Sequence, residues 1–347
     1  MKDLASFIEE KIQGFNILPR RYSIKSGKIN LYGPPKSGKT SLALDVAKTY
    51  KYAIYIDCND PRNNTQTFTS QILKAFLEKK LELLILDNFQ KSFMPTLPNI
   101  TNIILITPTP LFSFKDFHKK SILSLIFEEY ISFSSSTSSL NQLFNTFLKY
   151  GNSPMNISLS DYQKNQRKQE SMQLFFKENY DFFLHLLSFQ SQKITTNQFY
   201  TYLKKYLKIS KDKTYQILQD LENQKFIFFI AEQNAQKKAK KIYFYDFSLP
   251  YAFLSQPNFQ SIFENLVFLE LKNQYKGQIT TSKECHFLIK EKAFFAIPFP
   301  NQKDIDRILE KNKNKEIFII TINPLEHSQC HIIDFVSFAL GEYLEEK

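Results

Sequence analysis

The chain has 347 residues, of which 43% are hydrophobic and 23% charged. This globular balance excludes a disordered chain and suggests two or three domains. The net charge of +11 is uneven, at +7 over residues 1–150, +6 over 151–255 and −2 over 256–347. An anionic partner, nucleotide or nucleic acid, is therefore expected in the first two thirds, with a solvated lysine-rich surface as the plain alternative.

No apolar run approaches the roughly 20 residues a membrane helix needs, so no membrane partner is expected. In the opening MKDLASFIEEKIQGF, Asp3, Glu9 and Glu10 interrupt the apolar residues. The segment reads as an amphipathic helix of the mature protein and not as a signal peptide. Cys58, Cys285 and Cys330 are widely separated, which leaves neither a C-x-x-C site nor a disulfide framework and makes a reducing cytoplasm the expected compartment. Glycine numbers only 7, so each glycine that remains is expected to serve a particular backbone geometry.

Residues 28–32 (KINLY) read as a strand and SLALDVAKTYK as a helix. Between them lies Gly33-Pro34-Pro35-Lys36-Ser37-Gly38-Lys39-Thr40, a G-x-x-x-x-G-K-T phosphate loop in the strand–helix context it requires. Gly33, Pro34, Pro35, Lys36, Ser37, Gly38, Lys39, Thr40 and Ser41 are the expected nucleotide-binding residues. Loop N–H groups would cradle phosphates, Lys39 would reach the β and γ phosphates, and Thr40 would hold Mg²⁺. Further strands are expected at 53–57 (AIYID), in LELLILDNFQ at 81–90, and at 102–107 (NIILIT), with a helix near 70–79. Asp87, at the end of the second of these strands, would bind Mg²⁺. Thr107 is read either as a group positioning the attacking water or as a strand-end hydroxyl. The alternation of strands and helices implies an α/β fold with a parallel sheet and the nucleotide at the strand C-termini.

The series GPPKSGKT, YIDCNDPR, LILDNFQKS, ILITPTP, LSLIFEEYISF, LFNTFLKYGNSP, KKIYFYDFSLP and SIFENLVFLEL resembles prokaryotic AAA+-type ATPases that join a P-loop domain to a C-terminal domain of unknown function. That resemblance implies ATP and Mg²⁺ as cofactors, a strand through LSLIFEEYISF, and a restriction-endonuclease-like last domain. It also marks departures. The family's glutamate after the Walker B aspartate is Asn88 here, which can hold a water but cannot accept its proton. The family's Gly-Arg turn falls near His118-Lys119-Lys120, and lysine lacks the planar fork of an arginine finger. Arg62 and Arg167 are the remaining candidate substitutes.

After a serine-rich stretch at 132–139, LNQLFNTFLKY forms a helix stopped by Gly151 and Pro154. A Gln/Lys-rich stretch at 160–172 leads into apolar SMQLFFKENYDFFLHLLSF. Two helices follow, with Thr195 or Thr196 capping the first and Ser210 the second. The strands KFIFFIA and KKIYFYDF then complete three helices and a hairpin, the pattern of a winged helix. Lys211 and Lys213 on its second late helix, with Lys237, Lys238, Lys240 and Lys241 in the wing, are candidate DNA contacts. Asp212, Asp220 and Glu222 on the same helix favour a protein-packing role instead.

In the last segment Glu264 matches the early nuclease acid of the resemblance. His286 stands where the strand aspartate would be, and Ile297-Pro298-Phe299-Pro300 replaces the acid-x-Lys pair, so nuclease activity is not expected. A last amphipathic helix is expected over IIDFVSFALGEYL, and His327 and His331 have the i,i+4 spacing that could bind a metal on a helix, but only Cys330 stands near to complete a site, so no metal is assigned there. The expected domains are 1–155 (P-loop, AAA+-like), 156–255 (winged helix) and 256–347 (degenerate nuclease-like α/β). The expected function is an ATP-binding switch that hydrolyses slowly or not at all, with DNA, a protein or a second copy as partner. The alternatives are an active ATPase with a non-standard catalytic group, and a nucleotide-stabilised scaffold that does not bind DNA.

Overall fold

Four apolar strands and one basic edge strand of the N-terminal half pair into a five-stranded parallel sheet, in the order β2-β3-β4-β1-β5. Its strands are β1 (Lys28–Tyr32), β2 (Ala53–Asp57), β3 (Leu83–Asp87), β4 (Asn102–Thr107) and β5 (His118–Ser121). The computed structural model describes residues 17–61, 65–134, 138–235, 238–275, 277–325 and 327–342. The expected N-terminal helix, Arg62 and Lys237 lie outside the described residues. Compactness divides the chain into one unit of Met1–Leu123 with Asn223–Lys225 and a second of Ser124–Glu222 with Phe226–Lys347. The three-part reading put its first boundary at 155, so it grouped 124–155 with the P-loop half.

Alternate residues of the parallel strands enter two cores. Ile29, Leu31, Tyr55, Leu83, Ile85, Ile104 and Ile106 pack with Leu42, Ala43, Leu44 and Ala47 of α1 (Lys39–Ala47). Ile54, Ile56, Leu84, Leu86, Ile103 and Leu105 form the other core with Ile72 of α2 (Thr65–Leu77). A parallel sheet buried on both faces needs such nearly continuous apolar strands, which is why the sequence marks β1 to β4 clearly. β5 carries His118, Lys119 and Lys120 at the sheet edge and has no such mark.

In the second unit, the strand expected through LSLIFEEYISF is instead a helix, α3 (Phe127–Phe133). Glu128 and Glu129 lie in its first turn, where carboxylates favour a helix, and Glu129 Oε2 accepts from Ile126 N at 3.3 Å. α4 (Leu140–Tyr150) ends where expected, at Gly151. Gly151 has φ 83°, and a Cβ there would lie 2.1 Å from Ser248 Oγ and 2.4 Å from Asp246 Oδ1, so only glycine lets this turn meet the Asp246-Phe247-Ser248 segment. The Gln/Lys-rich stretch is α5 (Asp161–Phe176), whose Lys168 is buried against Asp246.

α6 (Tyr180–Leu187), β6 (Lys193–Ile194), α7 (Thr196–Leu203), α8 (Lys211–Asn223), β7 (Ile227–Ile230) and β8 (Lys240–Phe244) follow. The three strands form an antiparallel sheet ordered β6-β8-β7. Thr195 Oγ1 accepts from Gln198 N at 3.1 Å, and Ser210 Oγ from Lys213 N at 3.1 Å, so both expected caps form. After the short α9 (Leu249–Phe253), the buried α10 (Phe259–Gln274) is tied to β8 by Asn265. The Asn265 amide accepts from Phe244 N at 2.7 Å and donates to Phe244 O at 2.9 Å.

The last sheet is ordered β12-β11-β10-β9, from β9 (Phe287–Ile289), β10 (Lys292–Ala296), β11 (Glu316–Thr321) and β12 (His331–Asp334), with α11 (Gln302–Lys311) between β10 and β11. The expected final helix is shorter than the sequence reading made it. His331–Asp334 is a strand, and α12 (Phe335–Leu340) starts only after Asp334, which caps it by accepting from Val336 N and Ser337 N at 3.0 Å. His331 therefore does not share a helix face with His327. It stacks on Phe318 at a centroid distance of 4.8 Å.

Candidate nucleotide-binding site

The phosphate loop joins β1, which lies between β4 and the edge strand β5, to the N-terminus of α1. Gly33 has φ 140°, Lys36 φ 57° and Gly38 φ 88°. A Cβ at Gly33 would lie 2.4 Å from Ile122 O, so the chain leaving β5 reserves this position for glycine. Pro34 and Pro35 have no N–H, so the loop's amide donors come from Lys36 onward. Gly38 caps α1 without a side-chain hydrogen bond, and the first-turn N–H groups have no intrahelical acceptor. This is the polarity that suits an anion.

Lys39 Nζ folds back onto the loop, donating to Gly33 O at 2.9 Å and Pro34 O at 2.6 Å. Burial lowers its pKa to about 8, against the opposing pull of Asp87, and nearby Lys36 lowers it further. The fully buried Ser37 Oγ has no hydrogen-bond partner. A desolvated ammonium and an orphaned hydroxyl within one loop fit a phosphate-bearing ligand.

Thr40 Oγ1 donates to Asp87 Oδ2 at 2.6 Å, which brings together the two residues expected to hold Mg²⁺. Tyr55 OH donates to the same oxygen at 2.9 Å, and burial, reinforced by Asp87, raises the pKa of that phenol. Tyr55 escaped the sequence reading because it looks like any apolar strand residue. Cys58, beside it, has its thiol pushed up to about 12 by burial and then by Asp57 and Asp87, so it is no nucleophile at neutral pH.

Asn88 is exposed and has φ 53°, a left-handed conformation that asparagine adopts more readily than most residues. Its Nδ2 donates to Asp57 Oδ1 at 2.9 Å. Asp57 ends β2 and pairs in register with Asp87. Thr107 is buried and its hydroxyl is occupied, accepting from Asn30 Nδ2 at 2.8 Å and donating to Thr109 O at 2.7 Å. Asn30 also accepts from Leu111 N at 2.8 Å.

The basic residues that stood where a finger was sought have other partners. Lys119 donates to Phe117 O at 3.3 Å, and Lys120 to Ser23 O. Arg167, in the second unit, pairs with Glu170 at 2.9 Å. Arg20, which no motif marked, donates to the loop carbonyl of Ser37 at 2.8 Å and to Leu123 O at 3.0 Å.

Among the candidate DNA contacts, Lys211, Lys213 and Lys238 are exposed and Lys240 is half-buried. Lys238 and Lys240 border cavities of about 720 and 640 Å³. Lys241 differs from the other wing lysines. It is 12% exposed and pairs with buried Glu264 at 2.6 Å, alongside Tyr243 OH, which donates to the same oxygen at 2.6 Å. A lysine bound in this way is not available to phosphates. His286 lies 3.9 Å from the other Glu264 oxygen, and its Nδ1 accepts from Ala296 N at 3.0 Å. Burial lowers its pKa, against the opposing pull of Glu264, and nearby Lys241 lowers it further.

No described helix is long and apolar enough to cross a membrane. No protein-family model and no curated protein matches the sequence. Among solved structures, the chain is similar to the Walker-type ATPase paby2304 of Pyrococcus abyssi, at 12% identity and a TM-score of 0.42, over 72% of this chain and 93% of that one. The ORC1 protein of Aeropyrum pernix in complex with DNA gives 10% identity and a TM-score of 0.29, over 73% and 92%. Drosophila ORC bound to AT-rich DNA and Cdc6 gives 13% and 0.20, over 78% and 94%. The chain's own geometry makes it a mixed α/β protein with a five-stranded parallel sheet that carries a phosphate loop, with two smaller sheets following.

Proposed function

We propose that the chain is an AAA+-like protein that binds Mg·ATP at Gly33–Ser41 and acts as a nucleotide switch with slow turnover. The observation that carries this reading is the 2.6 Å hydrogen bond from Thr40 to Asp87 close to the half-buried Lys39 ammonium. Thr40 and Asp87 would hold Mg²⁺, which would offset phosphate charge there. Lys39 would exchange its two loop carbonyls for phosphate oxygens, and the loop N–H groups from Lys36 onward would bind the same anion. Slow turnover follows from an amide at position 88, where a general base is needed.

The helices and strands of 161–244 support a winged-helix reading, and exposed Lys211, Lys213 and Lys238, with Lys240, support DNA as its partner. The buried Lys241 does not belong to that set.

The test is the fate of labelled Mg·ATP on the isolated protein. The wild type is expected to retain nucleotide, mostly as ATP at early times, and Lys39→Ala to retain none. Equal retention by Lys39→Ala, or none by the wild type, would refute the reading.

A further inference from the structure

The amide at position 88 leaves the question of where a base comes from. Asn88 Nδ2 donates to Asp57 Oδ1 at 2.9 Å, and Asn59 N donates to the same oxygen at 3.0 Å. The carboxylate thus stands one hydrogen bond from the side-chain terminus of the residue that follows Asp87. It does so on the neighbouring strand, at the C-terminal edge where the phosphate loop also opens. Asp57 is half-buried and Asn88 exposed, so water reaches both. Asp87 itself is committed to Thr40, Tyr55 and its own neighbouring backbone, as acceptor from Asn88 N at 2.8 Å.

We infer that Asp57 is the general base for ATP hydrolysis in this chain and that Asn88 is the positioning residue that aims it. The inference rests on the Mg·ATP reading above. In the step, the water oxygen bonds to the γ-phosphorus as the bond to the β–γ bridging oxygen breaks. The water proton passes to the Asp57 carboxylate, and ADP leaves with the electron pair of the broken bond. The base is displaced by one strand and held by a neutral amide, so it is less directly fixed than a carboxylate at position 88 would be. This accounts for turnover that is slow but not absent.

The experiment compares the full-length wild type, Asp57→Asn, and the exchange variant Asp57→Asn/Asn88→Asp. The exchange keeps an amide–carboxylate hydrogen bond but moves the carboxylate to position 88. Three quantities are read, namely the affinity for a non-hydrolysable ATP analogue, single-turnover hydrolysis, and trapping of Mg·ADP with aluminium fluoride. Asp57→Asn is expected to bind the analogue within about threefold of wild type, hydrolyse about 100-fold or more slowly, and trap poorly. The exchange variant is expected to recover hydrolysis and trapping, and it carries the test if Asp57→Asn alone does not fold. Hydrolysis by Asp57→Asn at the wild-type rate overturns the inference, as does a wild type that binds ATP and never cleaves it. A wild type that binds no analogue overturns the nucleotide reading itself.

Discussion

Lys168 and Asp246 face each other across 3.0 Å, with side chains 5% and 2% exposed. Lys168 also donates to Tyr150 O at 3.0 Å, and Asp246 Oδ1 accepts from Ser248 N at 3.0 Å. The pair joins the end of α4, the middle of α5 and the segment after β8. Removing one partner leaves the other charge buried, so Asp246→Ala is expected to cost about 3–5 kcal/mol. The apolar replacement Lys168→Met/Asp246→Leu is expected to recover most of that loss. Urea midpoints followed by far-UV circular dichroism measure both. An Asp246→Ala midpoint within error of wild type would show that the pair contributes nothing.

Lys39 provides a pH test of the phosphate site. Its pKa in the free protein is lowered to about 8 because the ammonium is buried. An anionic phosphate beside it favours the charged form and raises that pKa. Below about pH 8 the free protein already carries the proton. Above it, nucleotide binding has to take a proton up. Affinity is therefore expected to fall as pH rises above about 8, by up to about tenfold per unit. Calorimetry at pH 8.5 in two buffers of different ionisation enthalpy should show proton uptake on binding. No uptake would mean that Lys39 does not meet the phosphates.

The lysines of the 161–244 region separate by salt dependence. If Lys211, Lys213, Lys238 and Lys240 meet DNA phosphates, the slope of log affinity against log salt is expected to weaken by about 0.9 for each contact removed by alanine. Lys241→Met is the contrasting variant. It should leave the slope unchanged while lowering stability, because it strands Glu264. An unchanged slope in the fourfold alanine variant would exclude this surface as a DNA interface.

The parallel sheet and its loop were legible in the sequence because the physics there is local. β1 to β4 are apolar on both faces, and the loop glycines sit at fixed spacing. What escaped notice depended on distant partners. α5 looks too polar to be a packed helix until Lys168 is seen against Asp246 and Lys164 over the Tyr150 ring at 4.7 Å. LSLIFEEYISF has strand-like residues, yet Phe127 and Tyr130 are buried with helical spacing and Phe127 N donates to Glu270 Oε1 at 2.8 Å. Lys241 was indistinguishable from its basic neighbours, since only the fold brings Glu264 to it. The link between Asn88 and Asp57 spans two strands, so no motif on either strand displays it.

Arg20 holds the Ser37 carbonyl with one arm and the Leu123 carbonyl with the other, while its guanidinium lies 5.3 Å from the Tyr22 ring centre. The Ser37 carbonyl of the phosphate loop is thereby tied to the chain that follows β5. Much of the conformational entropy that a flexible loop would lose on binding nucleotide has already been lost during folding. Under the Mg·ATP reading proposed above, a nucleotide would meet a loop already partly ordered, and binding energy not spent on ordering it would remain for other changes.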